Sequence, residues 1–175
     1  IRKHMSDIKG GRLTKFAEPS SCYSLIISDV INDDISSIAS GPTTHDKTTY
    51  KDAENILNSY NLLEKTPLSI VDHFNKGVSG EIEESPKNII NCENKIISSN
   101  RLYREQLASF AKKHGYNPVL VQRDIIGEAK EEAFFLIDQI NEHIDNTCDK
   151  PLAIISGGET VVNMQGSGKG GRNQE

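Results

Sequence analysis

The chain has 175 residues, no tryptophan, a formal net charge of −5, and 35% apolar against 26% charged residues. That length holds one ordinary domain, or one domain and the edge of another, but not two complete ones. Lys and Arg are scattered among Asp and Glu, which excludes a nonspecific nucleic-acid binder, since that function needs a basic face.

In chain order, Ile1 to Ile8 reads as a short helix ended by Lys9-Gly10-Gly11, and Cys22 to Ile27 as a buried apolar strand between Pro19-Ser20-Ser21 and Ser28-Asp29. Tyr50, Ala53, Ile56, Leu57 and Tyr60 recur at spacings of three and four, which predicts an amphipathic helix capped by Thr48 or Thr49. Pro67 opens a second helix with Leu68, Val71 and Phe74 on one face and Gly77 as its stop. Gly80 to Lys87 is acidic and reads as an exposed loop. Lys95 to Asn100 is a second strand, leading into a helix from Arg101 to His114 with Leu102, Leu107, Phe110 and Ala111 inward and Gly115 as its cap. Val119 to Val121 is a third strand, Glu128 to Ile144 a long helix and Leu152 to Ile155 a fourth strand. Short apolar strands alternating with helices predict an α/β fold, doubly wound, with a mainly parallel sheet covered on both faces. Thr160 to Gln165 reads as an antiparallel strand, and Pro151 as the entrance to a second domain.

No apolar run approaches the roughly 20 residues that span a bilayer, and Ile1-Arg2-Lys3-His4 has no apolar signal core, so the expectation is a cytoplasmic protein without a membrane partner. Cys22, Cys92 and Cys148 are far apart in sequence and read as unreactive thiols. His45, His73, His114 and His143 read as surface or cap residues. The missing initiator Met and the glycine-rich finish read as a fragment.

Ligands of doubly wound sheets sit beyond the carboxyl ends of the strands. There this chain carries Asp29, Asp33 and Asp34; Ser40-Gly41-Pro42-Thr43; Ser99 and Asn100; Asp124 and Gly127-Glu128; and Ser156-Gly157-Gly158-Glu159-Thr160. Asp29 and Asp33 are the candidate Mg²⁺ ligands, because that ion takes one or two carboxylates together with substrate phosphates. Ser40, Gly41 and Thr43 offer hydroxyls and a flexible backbone for a small hydroxy acid or a phosphate, and Lys9 an ammonium for an anion. Gly166, Gly168 and Gly171 satisfy G-x-G-x-x-G in form, but the chain stops before the acidic residue that completes a dinucleotide site. A Walker loop fails, since Gly170 follows Lys169 where Ser or Thr is required. What remains is a phosphate-binding glycine loop of Gly168, Lys169, Gly170 and Gly171 with Arg172 beside it, or the plain turn of a hairpin.

The runs Arg2-Lys3-His4-Met5-Ser6, Ile8 to Leu13, Ile27 to Val30, Asp33-Asp34, Ile38 to Thr43, Glu84 to Lys87, Ser99-Asn100, Gly127-Glu128-Ala129, Ser156 to Thr160 and Gly170 to Glu175 resemble, in order and spacing, the glycerate 2-kinase family. The resemblance implies transfer of the γ-phosphoryl group of ATP, with Mg²⁺, to the 2-hydroxyl of D-glycerate. It implies a cleft between a large Rossmann-like domain and a smaller MOFRL-type α/β domain. Residues 1–150 then correspond to the later half of the large domain and residues 151–175 to the beginning of the smaller one. Arg172 takes the place of the basic residue in the family's Gly-Gly-Arg motif and is expected to stabilise the transferring phosphoryl group. Asp29 is the first metal- or substrate-orienting carboxylate and Glu159 the second. A lysine important in the family belongs to the earlier half, so the chain alone is expected to be inactive. Some members carry the label hydroxypyruvate reductase. An NAD(P)H-dependent reductase and a noncatalytic nucleotide-binding module are therefore the competing readings, and the oligomeric state, homo-oligomer included, stays open.

Overall fold

The computed structural model describes residues 1–144, 150–163 and 165–168. They form two compact units, Ile1–Ile97 and Ser98–Glu175. In the first unit a 3₁₀ turn, Arg2–Met5, precedes α1 (Leu13–Ala17), β1 (Cys22–Ile27), α2 (Tyr50–Ser59), α3 (Leu68–Ser79) and β2 (Cys92–Ser98). The second unit holds α4 (Asn100–Lys113), β3 (Asn117–Leu120), α5 (Ala129–Ile144) and β4 (Leu152–Ile155). The α/β class agrees with the sequence pattern. Among the described residues the four strands form two two-stranded sheets, β1 with β2 and β3 with β4, one pair to each unit rather than a single sheet.

The core of the first unit comes from two helices. Thr49 caps α2 in a reciprocal box: its hydroxyl accepts from Asp52 N at 3.2 Å, and its own amide donates to Asp52 Oδ2 at 2.8 Å. Tyr50, Ala53 and Leu57, one face of α2, pack with Phe74 of α3 as the buried cluster. Burial of each large side chain there stabilises the fold by roughly 1.5–3 kcal/mol. Gly77 does not end α3, as its sequence position indicated; the helix runs to Ser79 and Gly80 caps it at φ 84°. Gly77 is an interior residue because a Cβ there would overlap the Tyr50 ring. The Gly80–Lys87 loop is only partly exposed, since Ser85 is buried by its hydrogen bond to Asp46. The expected N-terminal helix is a single 3₁₀ turn around a buried His4, with left-handed Gly10 and Gly11 after it.

Along β1 the residues Tyr23, Leu25 and Ile27 are exposed, so this strand alternates rather than being buried on both faces. Cys22 N donates to Asn91 O at 2.7 Å. Asn117 N donates to Pro151 O in the same pattern where β3 and β4 pair in parallel with Asn117 opposite Leu152. Two residues further on, Thr43 Oγ1 donates to both Ser24 Oγ and Asn94 Oδ1. Cys22 therefore stands beside Cys92, although 70 positions separate them in sequence. Burial and the hydrogen bond with Cys22 push the Cys92 thiol up to about 11.

In the second unit α4 packs on β3 and β4, but its expected apolar stripe is not fully buried: Leu107 and Phe110 are exposed while Arg104 is buried. The reason is electrostatic. Arg104 is drawn inward by Val121 O at 3.1 Å and Asp124 Oδ1 at 2.7 Å. The expected antiparallel strand from Thr160 is replaced, among the described residues, by isolated parallel bridges, Ile125 with Gly158 and Glu128 with Val161. Val161 N donates to Gly127 O and Ala129 N to Val161 O, which ties this segment to the start of α5. No helix among the described residues is long and apolar enough to cross a membrane.

Candidate functional site

Each unit carries a glycine-centred turn beside residues that the sequence singles out. In the first, Lys9-Gly10-Gly11 lies along Ala39-Ser40-Gly41. Lys9 Nζ donates to Ala39 O at 3.0 Å, Gly10 N to Ser40 O at 3.0 Å and Gly11 N to Gly41 O at 2.7 Å. Gly11 has φ 86°, and a Cβ on it would meet Thr44 O and Ile89 Cδ1 at 2.7 Å, so only glycine fits. Asn32, Asp33, Ala39 and Ser40 are all left-handed without being glycine. That concentration of strain within nine residues marks a loop whose shape is set by its surroundings.

The structure thus brings Lys9, Ser40 and Gly41 together. Thr43 is buried, and its hydroxyl is committed to Ser24 at 3.2 Å and Asn94 at 2.5 Å, with Asn94 Nδ2 returning a bond to Thr43 O. Asp29 is exposed just after buried Ser28, and Asp33 is half-buried. Asp34 is held by Ser36 and Ser37, whose hydroxyls donate to Oδ2 at 2.9 and 2.5 Å and keep its carboxyl below the usual range. No cluster of three His, Cys, Asp or Glu residues is assembled for a metal among the described residues. Mg²⁺ does not require one: an exposed carboxylate such as Asp29, outside the ion pairs of the described residues, fits an ion that draws its other ligands from phosphate oxygens and water.

Beneath this turn lies a buried polar network that the sequence reading missed. Asp46 is fully buried and accepts from Lys3 Nζ at 3.2 Å, Thr48 N at 3.0 Å, Thr48 Oγ1 at 2.8 Å and Ser85 Oγ at 2.9 Å. Burial works against its charge, yet the Thr48 amide and hydroxyl, the Ser85 hydroxyl and the Lys3 ammonium hold its pKa down at about 2. His4 is also buried, with Nε2 3.0 Å from Thr48 Oγ1 and 3.4 Å from Asp46 Oδ2. Burial lowers its pKa, against the opposing pull of Asp46 and Glu84. His73, expected at the surface, reaches His4 O at 2.6 Å. One signal was present in the sequence: Asp46 followed by Thr48 is the Asx-turn spacing, and Thr48 N does bond the carboxylate.

In the second unit Ser99 caps α4 through Leu102 N at 3.4 Å. The Asn100 carboxamide occupies the space a Gly157 Cβ would fill, so the first turn of α4 meets the end of β4 through a missing side chain. Ile125 N donates to Gly157 O at 2.9 Å, and a Cβ on Gly158 would overlap Ile125 O. Asp124 and Gly127 flank this contact: Asp124 pairs with Arg104, and Gly127 N donates to Glu132 Oε1 at 3.2 Å. Glu132, nearly buried, is balanced by Arg123 at 3.0 and 2.9 Å. A cavity of about 570 Å³ opens at the start of α5, walled by Ile125, Ala129, Ala133, Phe134, Leu136 and Thr160. Ser99, Asn100, Gly157, Gly158 and Thr160 are therefore gathered around the strand ends of one unit. Glu159 is exposed. Gly168 stands in open space, while Lys169, Gly170, Gly171 and Arg172 lie outside the described residues.

A family model described as a domain of unknown function, DUF4147, matches residues 1–75. The whole chain is 39% identical to the glycerate 2-kinase of Pyrococcus horikoshii and 35% identical to the D-glycerate 2-kinase of Thermotoga maritima, covering 40% of each relative. Over its whole length the chain is similar to proteins named glycerate 2-kinase. A crystal structure of glycerate kinase from Thermotoga maritima matches 99% of the chain at a TM-score of 0.77 and 35% identity, over 40% of that chain. The family likeness thus covers both glycine turns. The chain spans about 40% of the length of these glycerate kinase relatives.

Proposed function

We propose that this chain is part of a glycerate 2-kinase, an enzyme that moves the γ-phosphoryl group of ATP to the 2-hydroxyl of D-glycerate. Likeness over the whole chain to two glycerate 2-kinases carries this reading. In the reaction the 2-hydroxyl oxygen bonds to the γ-phosphorus, the bond from that phosphorus to the β–γ bridging oxygen breaks and releases ADP, and the hydroxyl proton passes to solvent. Mg²⁺, when bound, would neutralise phosphate charge; the protein's work is positioning and electrostatic stabilisation.

In the first unit Lys9, beside Ser40, is suited to the glycerate carboxylate, and Asp29 to the metal or to orienting the substrate. In the second, Gly157 and Gly158 admit close approach of a phosphate chain near Asn100, and Thr160 borders a cavity of a size for small-molecule binding. Arg172 is assigned to the transferring phosphoryl group by its place in the Gly-Gly-Arg motif. The domain reading goes with this proposal: residues up to about 150 belong to the large domain, and those from 151 open the smaller one. It also carries a cytoplasmic setting, where thiols such as Cys22 and Cys92 stay reduced.

The test uses the full-length protein with glycerate, ATP and Mg²⁺, following ADP release, and in parallel with hydroxypyruvate and NADH, following NADH loss. The proposal expects glycerate-dependent ADP release and no NADH oxidation. The opposite pattern establishes the reductase. Nucleotide binding with neither reaction establishes the noncatalytic module.

A further inference from the structure

We propose that Asp46 is a positioning residue, fixing the Lys9–Gly11 turn in the geometry that receives the carboxylate of the acceptor; the inference rests on the glycerate kinase reading above. Asp46 touches no surface from which it could meet a ligand, being 0% exposed. Its contacts come from three separate stretches of the first unit. Lys3 and His4 belong to the opening turn, Thr48 precedes α2, and Ser85 lies in the loop before β2. The Asp46 amide also donates to Pro86 O at 3.0 Å, so the residue is tied to that loop from both ends.

The link to the site is short. Gly10 approaches so closely that a Cβ on it would stand 3.2 Å from Asp46 Oδ2, and Gly10 N donates to Ser40 O. Asp46, Gly10 and Ser40 therefore form one mechanical chain, with Lys9 the residue just before Gly10. A buried carboxylate is a poor device for stability alone, because removing charge from water offsets most of what its partners return. It is a good device for fixing geometry: each donor must arrive from one direction, and a displaced donor leaves a buried charge uncompensated. Arg12 reinforces the same frame from the other side, its guanidinium donating to Lys3 O at 2.8 Å and to Tyr50 Oη at 3.2 Å.

The test compares Asp46→Asn with Leu57→Ala in the full-length protein. Leu57 lies in the α2–α3 core, so its truncation destabilises the same unit without touching the network. Asp46→Asn is expected to raise KM for glycerate about tenfold or more, with KM for ATP changed less than about twofold, while Leu57→Ala leaves both constants alone. Equal behaviour of the two variants overturns the proposal. If Asp46→Asn fails to fold, Ser85→Ala and Thr48→Val each remove one donor and are expected to raise KM for glycerate by smaller factors; no rise in either overturns it as well. Hydrogen exchange separates the inference from the kinase reading. In Asp46→Asn, or in Ser85→Ala if it does not fold, the Gly10 and Gly11 amides are expected to lose about tenfold in protection while those of Ala53 and Leu57 do not. This result is expected even if the full-length protein proves not to phosphorylate glycerate. Unchanged protection at Gly10 and Gly11 contradicts the positioning role.

Discussion

The Lys9–Gly11 turn of the first unit is held from beneath by charge, through Asp46 with its ammonium, amide and hydroxyl donors. The Gly157–Gly158 turn of the second is held by close approach, with the Asn100 side chain and the Ile125 backbone filling the space where side chains would stand. The first construction depends on pH and on each donor; the second depends on the absence of two methyl groups. The same residue type thus serves two physical ends, and substitutions should separate them.

The largest expected effect is on catalysis. Arg172→Ala in the full-length enzyme should lower kcat roughly 100-fold or more, as loss of a donor to a transferring group does; near-normal kcat removes Arg172 from the chemistry. The largest effect on stability falls on the first unit. Gly77→Ala forces a methyl into the Tyr50 ring and should cost about 3 kcal/mol in a denaturant titration, at the upper end for overpacking. In the second unit Gly157→Ala should displace Asn100 and raise KM for ATP about tenfold while costing only about 1 kcal/mol of stability. If Gly157→Ala lowers stability as much as Gly77→Ala, the contrast between a binding glycine and a packing glycine fails.

Acid should act through the charged network of the first unit. Asp46 has its folded pKa depressed to about 2, so its contribution is complete above the unfolded value near 3.9 and is lost as pH falls toward 2, roughly 2 kcal/mol in all. His4 is lowered by burial, so the unfolded chain takes up a proton that the folded one resists, and stability begins to fall as pH drops below about 6.5. Denaturation midpoints at a series of pH values should show both declines, and Asp46→Asn should reduce the lower one. The smallest effect concerns Cys92, whose raised pKa should make its alkylation at neutral pH at least tenfold slower than that of a free thiol.

Local elements were legible because short-range physics decides them. The period of Tyr50, Ala53 and Leu57 and the Thr49 cap specify α2, and the apolar run Leu152–Ile155 specifies β4. Gly77 was misread as a stop because a helix-ending glycine and a glycine under an aromatic ring look alike without the partner, and Tyr50 lies 27 positions earlier. The burial of Arg104 is not legible in the sequence, because its acceptors, Val121 O and Asp124, lie outside α4. Asp46 and the Cys22–Cys92 pair are not legible for the same reason: apart from Thr48, the groups that give them meaning are 39 to 70 positions away. Of the site, the gathering of Ser99, Asn100, Gly157 and Thr160 followed from the rule that strand ends collect ligands, whereas the commitment of the Thr43 hydroxyl to Ser24 and Asn94 required the sheet register.

The central claim is a phosphoryl transfer to one particular hydroxyl. Phosphorus NMR of the product formed by the full-length protein from D-glycerate, ATP and Mg²⁺ tests it most directly. The account predicts a single phosphomonoester coupled to the proton on carbon 2. Phosphate on carbon 3, or no new phosphomonoester while ATP and glycerate persist, would contradict it.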